Sequence, residues 1–557
     1  MIHTIRTAHK AASRQDAIGL MLAAALMLIL FSTAASAAIA LLAWKGAETI
    51  APGAAWARTA LFGGMAAVAA WGVLVRARHS ASRPIAEASS VSTRKTDWRL
   101  LPAALLAGAI VAFPRLDAYP WIAPDEAHHM GVARNVAAYH VYGSGLPETG
   151  FRWFDAYDSV GAPVIAPVAA AMALAGSDPA GPKTIAWARA AMALYFGLLC
   201  ALAYATLAPF FGAGTALAGV VMMLAMPGSA YLARTLYGEA PALAWLLAGL
   251  IIWSRPGNIA PGLAAGVCFG MAVLCKTIVM LAVFPFFGVL CFEYMTGRRA
   301  RLSEWTMPAI GGMAVVGAWW AAQTLLRHDV AGAAGGMLGE YQHNLIFGLR
   351  CLARTLPALW REPFTWYTAL AGLAFAAWTL SARRYNRSTA VLFMIAVFYL
   401  YWWLFFTPGH IHRYLWFSQA VGGLFGGVAA WQAYRAIGPA TRFRRIVLAI
   451  FVVSVAAAPG ARLASTMATI WTADEMRGYY EVASAVLNLP KCAAVCTADK
   501  PLAWILCLLA QRQAEVVEHV PAERLPRKWL IVREDRTFRL LPPAETPNGP
   551  WSARRGP

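Results

Sequence analysis

What this 557-residue chain lacks most is charge. Only 13% of its residues are Asp, Glu, Lys or Arg, whereas a soluble domain carries roughly 25%, and that deficit excludes an ordinary soluble enzyme. Acids are scarcest, 27 against 47 basic residues, which leaves a net charge of +20. In a soluble protein that excess would raise the question of nucleic acid. In a chain that is 59% hydrophobic it reads as basic loops on the cytoplasmic side of a membrane, with no nucleic-acid partner. There is no G-x-x-x-x-G-K-[ST] and no strand-to-helix G-x-G-x-x-G, so the usual nucleotide phosphate cradles are absent. The external loops hold no set of His, Cys, Asp and Glu at recognised metal-ligand spacing; no cofactor is inferred, and a divalent metal is left open.

What is present is apolar sequence in long runs, with 23 Trp and 25 Phe. A helical span needs about 20 mostly apolar residues, and about 13 such runs can be traced, several of them short. The first two, Ala17–Trp44 and Ala54–Val75, form an N-terminal extension that ends in the polar, basic stretch Arg76–Arg99. The first of them reads as a retained signal anchor, being longer than the apolar part of a signal peptide. A third run, Leu100–Phe113, opens into a large mixed segment, residues 114–187, and further runs, Thr215–Ala233 among them, follow to Ala458. Basic loops at Arg76–Arg99, Arg298–Arg301, Arg383–Arg387 and Arg435–Arg445 fall on one side if the alternation holds. That side is the cytoplasm, together with the N-terminus. The segment 114–187 and the C-terminal tail then lie outside. From Thr472 the tail becomes charged and Pro-punctuated, and Trp529–Val532 is strand-like. The expected fold is an all-α polytopic membrane protein of the inner membrane with a small extracytoplasmic α/β domain. Its parts are an extension over 1–99, a catalytic membrane region over 100–460 and a tail domain over 461–557. Cys492 and Cys496 lie in the exported tail, where a disulfide is permitted. Cys200, Cys268, Cys275 and Cys291 sit in apolar runs as small core residues.

Charges at span ends are costly and raise the functional question first. Pro124-Asp125-Glu126, with His128 and His129 behind, opens the large external segment. Adjacent carboxylates point to different sides of a helix, so one can face a reacting hydroxyl while the other serves structure or orientation; Asp125 is the base candidate and Glu126 its support. The bland alternative is a helix N-terminus decorated with acids, and the paired histidines leave a metal role open. Arg234 and Glu239 are either a surface pair or part of a site. Lys276 stands alone between two apolar runs, positioned to snorkel or to meet a phosphate. His410-Ile411-His412-Arg413-Tyr414 offers several donors to an anion. Arg350, Arg354 and Arg361 form a basic face for lipid headgroups or substrate. Carboxylates in an external loop, with isolated cations around them, suit a lipid-linked phosphosugar whose phosphate meets Lys276 and Arg413.

These residues resemble the GT-C superfamily of membrane glycosyltransferases, which includes the protein O-mannosyltransferases and the lipid A aminoarabinose transferase. The likeness is carried by Pro124-Asp125-Glu126 after a span, by Arg234 to Glu239 followed by Pro241-Ala242-Leu243-Ala244-Trp245, by a small-residue span ending in Lys276, and by His412-Arg413-Tyr414. It covers most of the chain from Leu100 onward. Two features depart from the usual pattern: the two N-terminal spans, and Phe417-Ser418 where prolines often follow the Arg-Tyr pair. The resemblance implies a polyprenyl-phosphate sugar as donor, transfer with inversion, base work for Asp125 with Glu126 supporting, and substrate or phosphate contact for Arg234, Glu239, Lys276, His412, Arg413 and Tyr414. The acceptor is a lipid, a glycan or a protein. A lipid-linked glycan polymerase or ligase would use the same carrier. A secondary transporter is the alternative from another class, although no internal repeat and no mid-span carboxylate supports it.

Overall fold

The computed structural model describes residues 97–541, except residues 149, 154–159, 177–181, 255–258, 296–302, 328–362, 382–385, 407–411, 438–441, 491–493, 498–499, 511–513, 517–527 and 535–536. The two N-terminal spans, His410, Cys492 and the Arg350/Arg354/Arg361 face lie outside the described residues, as do the side chains of His412 and Cys496. The described chain is predominantly helical. After a short 3-10 turn it runs through α1 (Leu101–Ala112), α2 (Pro124–Tyr139), a hairpin of β1 (Gly143–Leu146) and β2 (Gly150–Trp153), α3 (Ala162–Leu174), α4 (Pro182–Phe211), α5 (Ala213–Leu224), the single turn α6 (Ser229–Leu232), α7 (Glu239–Trp253) and α8 (Ile259–Cys275). A 3-10 turn, Thr277–Ala282, leads into α9 (Val283–Met295), α10 (Ser303–Arg327), α11 (Pro363–Ser381) and α12 (Arg387–Phe406). A second, His412–Leu415, opens α13 (Trp416–Ile437), which is followed by α14 (Arg442–Thr472).

Among the described residues, three stretches, Lys183–Phe211, Arg387–Leu404 and Arg445–Leu487, are long and apolar enough to cross a membrane. Several further apolar helices are shorter than the roughly 20 residues of a full crossing; α5 has 12 residues, α7 has 15 and α8 has 17. The run expected over Thr215–Ala233 breaks after Leu224, because Pro227 lacks an amide donor and Gly228 adopts a φ of +80°. Segment 114–187 holds more than a loop. It contains α2, the hairpin and the apolar helix α3, whose Val164, Ile165 and Val168 are buried. At the far end α14 continues through Pro459 to Thr472, past the boundary expected near residue 461.

Large apolar side chains such as Leu106, Leu194, Ile450 and Val453 face outward, as lipid contact requires and water would not favour. Between helices the contacts rest on small residues, which let backbones approach. A Cβ on Gly372 of α11 would come within 2.1 Å of the Gly422 carbonyl on α13, and one on Gly427 within 2.3 Å of the Ala218 carbonyl on α5. At the C-terminal end of α7, Arg387 binds both oxygens of Glu293 at 2.8 and 2.9 Å and Glu304 at 2.8 Å, and it lies 5.0 Å over Trp253 and 5.4 Å over Trp305. This clamp closes the end of the bundle remote from Glu239, which begins the same helix about 22 Å away.

The tail forms α15 (Arg477–Leu487), β3 (Ala494–Thr497), α16 (Lys500–Leu509), β4 (Ala514–Val516), β5 (Lys528–Glu534) and β6 (Thr537–Leu541). The sheet order is β4-β3-β5-β6, with β3 parallel to β4 and β5, and β6 antiparallel to β5. The tail grips the segment that leads into α2. The Glu475 carboxylate accepts from the Trp121 amide at 2.8 Å, the Glu475 amide donates to the Ala118 carbonyl at 3.0 Å, and the Tyr480 hydroxyl donates to the Asp117 carbonyl at 2.6 Å. From α2 itself, Arg134 donates to the Leu508 carbonyl at 3.1 Å. Tail and first loop therefore share one side of the protein.

Candidate functional site

The site begins with the start of α2. Pro124 takes the first helical turn, where its missing N–H costs nothing, and Asp125 and Glu126 follow in that turn, where the positive end of the helix dipole favours acids. Their side chains diverge. Glu126 points inward and is wholly buried, with its two oxygens bound at 3.0 Å each by Nε and NH2 of Arg189 on α4, whose NH1 donates to the Leu116 carbonyl at 3.0 Å. Burial pushes the Glu126 carboxyl above its ordinary value, and Arg189 opposes that push. Glu126, expected beside the base in the chemistry, thus holds α2 against α4. Asp125 points outward with 52% of its side chain exposed, and NH1 of Arg413 donates to it at 2.9 Å.

Three segments bring the remaining groups to Asp125. Gly238, at a φ of +85°, sits so close to the end of α8 that a Cβ there would lie 2.1 Å from the Cys275 carbonyl. That approach sets Glu239, first residue of α7, beside Lys276, the residue after α8, with Nζ and carboxylate 3.4 Å apart. Lys276 leaves the helix in an extended conformation. The Tyr399 hydroxyl donates to the Ile278 carbonyl at 2.9 Å and fixes the turn that follows. From the 3-10 turn before α13, Arg413 lays its guanidinium 4.5 Å over the Tyr237 ring and 5.4 Å over the Tyr414 ring, with Nε 4.0 Å from Glu239. Tyr414 in turn lies 5.8 Å from the Lys276 ammonium.

The electrostatics follow from this packing. Burial alone would raise the Asp125 carboxyl, but the charge and hydrogen bond of Arg413, reinforced by the charge of Lys276, outweigh it and hold the group below its ordinary value. Burial would likewise lower the Arg413 guanidinium, and the anionic groups around it, Glu239 first among them, raise it instead. His129 lies one turn beyond Asp125 on α2, and its Nδ1 is 2.8 Å from the Leu236 carbonyl. A carbonyl only accepts, so Nδ1 carries the proton. Burial, with positive charge at His128 and Lys276, pushes the His129 imidazole down to about 3. The ring is therefore neutral at physiological pH.

Of the sequence-based candidates, Asp125, Glu239, Lys276, Arg413 and Tyr414 converge. Lys276 and Glu239 are buried behind Arg413, whose side chain is 22% exposed, so Arg413 is the cation nearer the surface. Arg234 has other work. Its guanidinium donates to the carbonyls of Pro114 and Val111 at 2.7 Å each and of Tyr119 at 3.4 Å, and it lies 5.7 Å over the Tyr119 ring. It shapes the entry to α2 and does not stand among the cations of the cluster. Among the described residues no group of three or more His, Cys, Asp or Glu side chains is placed to hold a metal ion.

No protein-family model matches the sequence, and no curated protein does. Solved structures do match. The fold is that of ArnT. ArnT from Cupriavidus metallidurans bound to undecaprenyl phosphate superposes with a TM-score of 0.52 over 78% of this chain and 86% of its own, at 13% identity. The apo form of the same protein gives 0.52 over 78% and 92%, at 12% identity. The similarity is one of fold, spread over 78% of the chain.

Two residues of this site escaped the sequence reading. Arg189 was available as a signal, since a lone charge inside an apolar run needs a partner. Tyr237, the platform under Arg413, gave none, because an aromatic at a span end is ordinary.

Proposed function

We propose that the protein is an integral membrane glycosyltransferase that moves a sugar from a polyprenyl-phosphate donor to an acceptor hydroxyl at the extracytoplasmic face, with inversion. The observation that carries this reading is the Asp125–Arg413 pair at the surface of the cluster, backed by Lys276 and Glu239, on a fold whose solved representative holds undecaprenyl phosphate. Asp125 takes the proton of the acceptor hydroxyl, the freed oxygen attacks the anomeric carbon, and the bond from that carbon to the phosphate oxygen breaks. The electron pair leaves on the polyprenyl phosphate, where Arg413 offsets the growing charge and Lys276 acts through the field of the cluster. A single displacement of this kind inverts the anomeric centre. The isoprenoid tail lies against the outward apolar faces of the helices. On this reading the site and the tail domain face the exterior of the inner membrane, the basic loops and the N-terminus face the cytoplasm, and membrane lipids surround the bundle.

The test is a competition between a polyprenyl phosphate and the corresponding polyprenol for the protein in nanodiscs. The phosphate should win by at least tenfold, and Arg413→Ala should remove most of that preference. Equal affinity for the two lipids would end the proposal.

A further inference from the structure

Arg413 faces two anions and satisfies only one. Its NH1 is within bonding distance of Asp125, at 2.9 Å, while Nε lies 4.0 Å from Glu239, beyond hydrogen-bond length. It sits on a four-residue 3-10 turn, stacked on aromatic faces, and a stacked guanidinium can slide in plane without losing its contact. Lys276, by contrast, is buried against Glu239 and behind Tyr414. An anion reaching the cluster from the exposed side meets Arg413 first, and Arg413 is already holding Asp125. Charge counting sharpens the conflict. Asp125 and Glu239 stand against Lys276 and Arg413, two anions to two cations, with His129 committed through Nδ1 to the Leu236 carbonyl. A phosphodiester adds a third anion to a balanced set.

We infer that Arg413 is a shared cation that passes from Asp125 to the donor phosphate, so that donor binding is coupled to proton affinity at Asp125. This rests on the lipid-phosphate reading above and deepens it. While the donor is absent, Arg413 occupies the carboxylate and the base is weak. When the phosphate draws Arg413 away, Asp125 keeps the field of Lys276 but loses its bonded cation and gains a nearby anion, and both changes strengthen it as a base. The carboxylate becomes competent only when there is a donor to attack. Among the described residues, the other charged or titratable groups near it are His129 from its own helix, Lys276 after α8 and Tyr414 beside Arg413, with Glu239 of α7 paired to Lys276.

Linkage makes this measurable without turnover. A ligand that raises a group's proton affinity binds more tightly to the protonated protein, by up to tenfold for each unit fall in pH. The probe is a short-chain prenyl methyl phosphodiester, which has no leaving sugar and whose single charge does not titrate in the range used. Its affinity for the full-length protein in nanodiscs is measured from about pH 7 down to about 4, near the ordinary aspartate value. Calorimetry in two buffers of different ionisation enthalpy counts protons taken up. Wild type should bind more tightly as pH falls toward 4 and take up a fraction of a proton per diester. Asp125→Asn should bind about two- to fivefold more tightly than wild type at neutral pH, because Arg413 is already free, with no uptake and a flat pH profile. Arg413→Ala should bind weakly with no uptake. Diester binding by wild type without proton uptake, or the same uptake in Asp125→Asn, overturns the coupling and leaves the lipid-phosphate reading standing. No diester binding at any pH, by protein shown to be folded, overturns that reading and the coupling with it.

Discussion

Replacing Glu126 by Gln should damage the fold, whereas replacing its neighbour Asp125 by Asn should damage only the chemistry. Glu126 and Arg189 are both fully buried and joined by two bonds of 3.0 Å. Gln keeps one acceptor but removes the charge, leaving a buried guanidinium with one neutral bond and its link to the Leu116 carbonyl. Removing one partner of such a pair costs about 3–5 kcal/mol. Asp125 is half exposed, and an exposed ion pair contributes about 0.2–1 kcal/mol, so Asp125→Asn should stay within about 1 kcal/mol of wild type. SDS-induced unfolding in mixed micelles, followed by tryptophan fluorescence and circular dichroism, gives both differences. Replacing both partners, Glu126→Leu with Arg189→Leu, should recover most of the loss, since an apolar pair of similar volume carries no desolvation penalty. If Glu126→Gln is no less stable than Asp125→Asn, the assignment of Glu126 to structure is wrong and its place as a second catalytic carboxylate reopens.

Arg234→Met should disorder the entry to α2, because three backbone carbonyls lose their donor; increased proteolysis between residues 111 and 121 would report it, and unchanged cleavage would count against the role. Glu475→Ala removes the carboxylate that accepts from Trp121 and should lower turnover several-fold with little change in donor affinity, since it displaces the base and not the phosphate contact. His129 should make stability pH-dependent. Its folded value of about 3 lies below the unfolded value of 6.5, so between those limits the unfolded chain binds more protons. Stability then falls as pH drops from 6.5, by up to about 1.4 kcal/mol per pH unit, and His129→Asn should flatten that slope in unfolding curves taken from pH 7 to 4. Gly426→Leu should prevent α11 and α13 from closing, as even a Cβ there would sit 2.8 Å from the Thr368 carbonyl; loss of folded yield on gel filtration is the readout.

The membrane class and most helices could be read from the sequence because apolar runs, charge-poor stretches and basic loops are local properties. Asp125, Lys276 and Arg413 stood out for the same reason, each being a charge where charge is costly. What the sequence could not show is partnership. Asp125 and Arg413 are 288 residues apart, and Glu126 and Arg189 are 63 apart; spacing along one chain does not say which cation meets which acid. Arg234 looked like a member of the phosphate site because it lies close in sequence to Glu239, yet the turn through Gly238 sends the two side chains to different partners. The break after Leu224 was visible as Pro227-Gly228 but was overridden by the apolar run around it. The apolar character of α3 likewise gave no sign that it would pack inside the protein on the side that carries the site.

The most direct test of the central claim is to incubate the purified protein, in detergent or nanodiscs, with a panel of radiolabelled polyprenyl-phosphate sugars, comparing wild type with Asp125→Asn. The account predicts release of sugar from at least one donor by wild type, with turnover two or more orders of magnitude lower in the variant and donor binding retained. Consumption of no donor by folded wild type, or equal turnover by the two proteins, would contradict it.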